Sequence, residues 1–340
     1  MLQPVPQQII FSPLSDNFEP PAALFREALF WGIIMTPYKD IFYSVEGGLQ
    51  LHARDYDSAS ADSSPENCDK ITILCLHGLS RNAADFEPLV QELSGDYRLL
   101  VAEQRGRGQS QWDAQHQRYH LLTYVQDMWQ LLDHLGIEKV VIVGTSMGGL
   151  MGMIMTNQQP QRIAGLVIND VGPEVHPEGI GRIMSYLGKK GPVKTWQDAV
   201  SQTRDMNEVC FPSYNDEQWL AMTRRLFREN DQGVPVLDYD PMISAPLTED
   251  QKAAAPSDPW ALFRGLKGTP LLVLRGELSD LLSRDCFLRM QSELPELTAV
   301  EVPAVGHAPA LDEAAAVSAI EQFLQRADIK QAFMTEQSGL

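Results

Sequence analysis

Short runs of buried-type residues recur along the chain and end in glycine-rich or polar breaks. "ITILCLHG" closes at Gly78, "YRLLVAEQRGRG" runs into a glycine loop, and "KVVIVG" and "IAGLVINDVG" follow the same form. Such runs, four to eight residues long and rich in β-branched residues, predict strands buried on both faces. Between them the period changes. In "YVQDMWQLLDHLG", residues 124–136, Val125, Met128, Leu131, Leu132 and Leu135 fall on one side of a helix that Gly136 stops. "GLMGMIMTNQQP", residues 149–160, predicts a buried helix ending before Pro160. The rhythm then breaks. Residues 173–260 carry helical patches such as "EQWLAMTRRLFREN" and no strong strand. It resumes with a strand in "TPLLVLRGE", a helix near 284–293, a strand at "TAVEVP" and a helix over 312–326.

Alternating strand and helix predicts a mostly parallel central sheet with helices on both faces, an α/β fold whose ligands meet the carboxyl ends of the strands. The stretch 173–260 interrupts that order after the fourth recognisable core strand, so it is expected to form a helical cap over the same edge. The expected organisation is an N-terminal extension over 1–39, a core of 40–172 and 261–327, the cap, and a tail over 328–340.

The strand ends carry the chemistry. Gly144-Thr145-Ser146-Met147-Gly148 is a G-x-S-x-G turn with a strand before it and a helix after it. Glycine is required where strand and helix backbones crowd, and the serine between them is held in a strained, exposed conformation. A bare turn serine is the alternative, and the strand-turn-helix setting favours a nucleophile. Its base is expected to be His307, in "PAVGHAPAL" after the last strand. The acid that orients the imidazole is expected to be Asp280, in "LRGELSD", which gives the chain order Ser, Asp, His. Asp170, at the end of "LVIND", is its rival. Two backbone N–H groups must meet a tetrahedral oxyanion. Met147, which follows the serine, and Leu79, after the first strand of the core, are the candidates. His77 is expected to be a satisfied loop histidine rather than a second base.

Taken in order, "LHGLS", "EQRGRGQS", "GTSMGG", "LRGELSD" and "VGHAPALDE" resemble the α/β-hydrolase superfamily over roughly residues 40–326. The "SMGG" turn is similar to those of enol-lactonases, meta-cleavage carbon–carbon hydrolases and related small-molecule esterases. Glu103 departs from the Asp often found shortly before "RG", and Ser146 stands where dehalogenases and epoxide hydrolases of the superfamily have Asp. The resemblance implies two-step acyl transfer through Ser146, His307 and Asp280 on a small, largely apolar ester or lactone, with no cofactor and no metal. Carbon–carbon hydrolysis, acyl or peroxide transfer on the same triad, and non-catalytic ligand binding are the competing readings.

Composition bounds the partners. Twenty-seven basic against forty-five acidic residues give a formal charge of −18, which repels phosphate backbones and anionic membranes. Nucleic acid is not expected as a partner. Four cysteines, Cys68, Cys75, Cys210 and Cys286, form no CxxC pair, so neither a disulfide framework nor a metal site is expected and a cytoplasmic location fits. The N-terminus shows no signal-peptide pattern. The apolar stretch 22–35 contains Arg26 and Glu27 and is too short to span a bilayer. It is expected to dock on this chain or to form a homodimer through the extension, without stable membrane insertion.

Overall fold

The computed structural model describes residues 36–57, 70–188, 191–247 and 258–334. The expectations for the N-terminal extension, including its helix and the homodimer, fall almost wholly outside this range, as does the end of the tail.

Eight strands form one sheet in the order β1-β2-β4-β3-β5-β6-β9-β10. They are β1 (Lys39–Ser44), β2 (Gln50–Tyr56), β3 (Thr72–Leu76), β4 (Arg98–Glu103), β5 (Val140–Thr145), β6 (Ile163–Asn169), β9 (Leu271–Gly276) and β10 (Thr298–Val302). The six strands from β4 to β10 pair in parallel, while β1 and β2 pair antiparallel at one edge. These six are the strands expected from the sequence. The antiparallel pair was not foreseen.

The alternation of side chains along the parallel strands splits the core between the two faces. Leu74, Ile142, Leu166 and Val273 pack on one face with α2 (Leu121–His134) and α3 (Met147–Gln158). Ile73, Val141, Val167 and Leu272 pack on the other with α1 (Glu87–Leu93) and α9 (Ala314–Leu324). Strands covered on both sides need no polar face, which is why they read as continuous apolar runs.

The interruption after β6 contains α4 (Pro177–Tyr186), α5 (Trp196–Asn207) and α6 (Asp216–Leu226). It also holds an antiparallel ribbon of β7 (Phe227–Glu229) and β8 (Pro235–Leu237), three-residue strands in a segment expected to carry no strong one. Asn215 and Thr195 start α6 and α5 with reciprocal capping boxes. The chain returns to the core through α7 (Pro259–Arg264), and α8 (Arg284–Glu293) joins β9 to β10. At the start of the segment expected as a tail, Ala327–Met334 forms α10, whose Ile329 is fully buried. Among the described residues no helix is long and apolar enough to cross a membrane.

Candidate active site

Ser146 stands between β5 and α3 with φ +54 and ψ −114, a conformation that costs a non-glycine residue of order 1–3 kcal/mol. The turn is that tight because both flanking glycines face backbone. A Cβ on Gly144 would lie 2.3 Å from the Gly148 carbonyl oxygen, and one on Gly148 would lie 2.0 Å from that of Leu76. The Ser146 N–H donates to Asn169 O at 2.9 Å, tying the turn to the end of β6. Asn169 strengthens this tie. Its side-chain amide donates to Thr145 Oγ1 at 3.0 Å and to Pro309 O at 2.9 Å, so one buried side chain links the serine turn to the histidine loop.

His307 follows β10, and its ring bridges the expected serine and a carboxylate. Nε2 lies 2.9 Å from Ser146 Oγ, and Nδ1 lies 2.8 Å from Asp170 Oδ2. A carboxylate on Nδ1 fixes the proton there, leaving Nε2 to accept the serine O–H. The structure thus brings Ser146 and His307 together as the sequence predicts, but gives His307 Asp170 in place of Asp280. Asp170 is fully buried and has φ +58. Its Oδ1 accepts the Gly276 N–H at 2.8 Å and its Oδ2 the Ser279 hydroxyl at 2.6 Å.

The expected acid, Asp280, is committed elsewhere. It forms a two-pronged ion pair with Arg182 of α4, at 2.6 and 2.9 Å. Burial works against its ionisation, but the Arg182 guanidinium outweighs burial and holds the carboxyl below its usual range. Its backbone carbonyl accepts the Gly179 N–H at 3.0 Å. Asp280 therefore anchors α4 to the loop after β9.

The two oxyanion candidates flank the serine. Met147 opens α3, and Leu79 lies in the loop after β3, where a Cβ on Gly78 would sit 3.8 Å from Ser146 Cβ. Among the described residues, neither the Leu79 nor the Met147 backbone N–H has a hydrogen-bond acceptor in the protein. His77 has both nitrogens engaged. Nδ1 donates to Gly78 O at 2.7 Å, and Nε2 accepts the Gln104 N–H at 3.1 Å. Burial, aided by Arg107, holds its imidazole down at about 4, so it is neutral and structural. Glu103 is structural too, accepting the N–H groups of Ala83 and Gln109 beside His52.

A cavity of about 110 Å³ opens over Ser146 and His307. From the segment after β6, Tyr186, Met206 and Phe211 line it. Tyr214 and Trp219 pack behind Phe211, with ring centroids 4.6 Å apart for Phe211–Tyr214 and 5.3 Å for Tyr214–Trp219. Trp196 instead hydrogen-bonds Glu229 at 2.7 Å, outside the cavity. Among the described residues no group of His, Cys, Asp and Glu is arranged to hold a metal ion.

The supporting residues Asn169 and Ser279 had no distinctive sequence signal. The signal for Asp170 was present, an acid directly after the strand that neighbours the serine strand.

Comparison with known proteins agrees with this architecture. The family model described as alpha/beta hydrolase fold matches residues 71–314. A 3-hydroxybutyrate-oligomer hydrolase of Cupriavidus necator is 34% identical over 280 residues, covering 80% of this chain and 93% of that protein. The crystal structure of an alpha/beta hydrolase from Novosphingobium aromaticivorans is 39% identical, with a TM-score of 0.78 over 86% of this chain and all of that one. The enol-lactonase of Burkholderia xenovorans, 20% identical with a TM-score of 0.63 over 84% of this chain and all of that one, shares the fold. The chain belongs to the α/β-hydrolase family and is a hydrolase.

Proposed function

We propose that this hydrolase is a serine esterase that cleaves short oligoesters of a small hydroxy acid through an acyl-enzyme. The observation that carries the reading is the continuous relay from Ser146 Oγ through His307 to buried Asp170 at the floor of the cavity. In this mechanism His307 Nε2 takes the Ser146 proton as Oγ attacks the ester carbonyl. Asp170 holds the reactive tautomer and stabilises the imidazolium. The Leu79 and Met147 N–H groups receive the oxyanion. His307 then passes its proton to the departing alkoxide, and a water repeats the sequence on the acyl-enzyme. The substrate class is supported by the similarity to the Cupriavidus necator oligomer hydrolase, which extends over nearly that protein's whole length, and by the apolar side chains over the serine.

The test is release of free hydroxy acid from 3-hydroxybutyrate dimer and trimer, with p-nitrophenyl butyrate as a generic ester. Ser146→Ala should lower kcat by roughly 10⁴ to 10⁶ on whichever esters the parent cleaves. A fluorophosphonate should label the parent at Ser146 and spare the variant. Near-parental turnover by pure Ser146→Ala protein would refute the mechanism.

A further inference from the structure

The cavity over Ser146 contains two arginines in different electrostatic states. Arg81 is neutralised, since its Nε and Nη2 both reach Asp85 at 2.6 Å. Arg225, in the last turn of α6, also lines the cavity, and among the described residues no carboxylate lies within ion-pair distance of it. Its Nε is sealed from solvent and has no acceptor. Arg54 and Arg204 also leave Nε without an acceptor, but each places a terminal nitrogen on an acid, Glu87 and Asp216. Arg225 has no such acid partner.

The fold holds this end of the helix in place. The Arg225 backbone carbonyl accepts the Asn82 amide at 3.0 Å, and the same amide reaches Asp238 at 2.9 Å. The end of α6 is thereby tied to the loop that follows β3. Tyr214, packed behind Phe211, has a buried hydroxyl that also lacks a partner; burial foremost, with Asp312 and Glu313, raises its phenol, while Arg225 and Arg81 pull it the other way. Arg225 is thus a cavity-lining guanidinium with an unused donor, in a wall that also holds Met206, Phe211, Met222, Leu226 and Leu237. An arginine left in this state beside a reactive serine has an anion as its natural complement.

We propose that Arg225 is a specificity-determining residue that binds the free terminal carboxylate of the substrate. The inference rests on the esterase reading above and narrows it to esters whose alcohol portion is itself a carboxylic acid. In a dimer of a hydroxy acid the only free carboxylate belongs to the alcohol half. Arg225 therefore holds the leaving group, and cleavage releases a hydroxy acid whose new hydroxyl has received the His307 proton. Ser146 keeps the acyl half until water removes it. Recognition of that end favours short oligomers, because it lies close to the bond that breaks.

The experiment compares 3-hydroxybutyrate dimer with its methyl ester, which has the same scissile bond and no charge. The readout is the ratio of kcat/KM for the two, which is independent of how much protein is folded. The parent should favour the acid. In Arg225→Met the ratio should fall roughly 10- to 100-fold, the range of one charge-assisted pair. Arg225→Lys, which restores the charge, should recover part of it, and raising the salt should lower the parental ratio. An unchanged ratio in Arg225→Met, or a parent indifferent to the methyl ester, overturns the carboxylate role while p-nitrophenyl butyrate turnover leaves the esterase reading intact. Failure of the parent on every ester overturns both.

Discussion

A carboxylate that accepts the Nδ1–H of a catalytic imidazole selects its tautomer and stabilises the cation formed during attack. Asp170 is placed for this and Asp280 is not. Replacing Asp170 with Asn keeps the shape but offers an N–H where His307 needs an acceptor. The imidazole then turns over its tautomer, carries its proton on Nε2, and can no longer receive the serine proton. Asp170→Asn should lose about 10⁴ in kcat. Asp280→Asn should lose less than about tenfold, because its partner is Arg182 and the relay stays whole. Steady-state kinetics of both variants on one ester decides this. A crippled Asp280→Asn beside an active Asp170→Asn would reverse the assignment. Chain order could not make the choice, because both acids follow neighbouring strands, β6 and β9, and both lie before the histidine. What separates them is the direction each loop takes. Asp170 adopts a left-handed backbone, and its carboxylate is met by the Gly276 N–H and the Ser279 hydroxyl. Asp280, one residue beyond Ser279, is met by a cap helix that sequence periodicity cannot place.

Among the elements, the Arg182–Asp280 pair fastens α4 to the loop after β9. Its two side chains are only 16% and 17% exposed, so removing one partner strands the other in a place where water reaches it poorly. Arg182→Met and Asp280→Asn should each cost about 1 to 2 kcal/mol in urea unfolding, and the double variant should cost clearly less than their sum. Strict additivity to within about 0.3 kcal/mol would show that the pair does not hold the cap. Because α4 brings Ile183 and Tyr186 to the cavity, the single variants should also raise KM more than they lower kcat. The same scale explains which elements were readable beforehand. The parallel strands and α2, α3 and α8 announce themselves through apolar runs or periodicity. In β1 and β2, by contrast, polar residues interrupt the apolar ones, and two of them, His52 and Asp55, are themselves buried. The polar members are used in pairs, such as His52 with Glu103 and Asp55 with Arg98, and such a partner appears only once the chain is folded. β7 and β8, three residues each, are too short to show a period.

On the scale of the whole molecule, two buried groups oppose one another in acid. His77 titrates at about 4 in the folded chain against 6.5 as an ordinary histidine. The unfolded chain therefore takes up its proton first, and His77 lowers stability as the pH falls from 6.5 to 4. Asp238 behaves in the opposite sense. Burial, with the nearby Glu103 charge, pushes its carboxyl from 3.8 up to about 6. The folded chain holds that proton when the unfolded chain has lost it, so Asp238 lowers stability as the pH rises from 3.8 to 6. Each effect amounts to about 3 kcal/mol at most, and between pH 4 and 6 the two slopes largely cancel. Removing either group should uncover the other. Relative to the parent, the unfolding free energy of Asp238→Asn should climb with pH between 4 and 6, because His77 is left unopposed. That of His77→Gln should fall over the same interval, because Asp238 is left alone. Taking differences removes the other carboxylates of this acidic chain, which titrate in parent and variant alike. Urea unfolding at pH 4.5, 5.5 and 6.5 provides the curves. Two differences that stay level with pH would mean that neither group is held away from its ordinary value. Two that slope in the same direction would mean that one of the two burial arguments has the wrong sign.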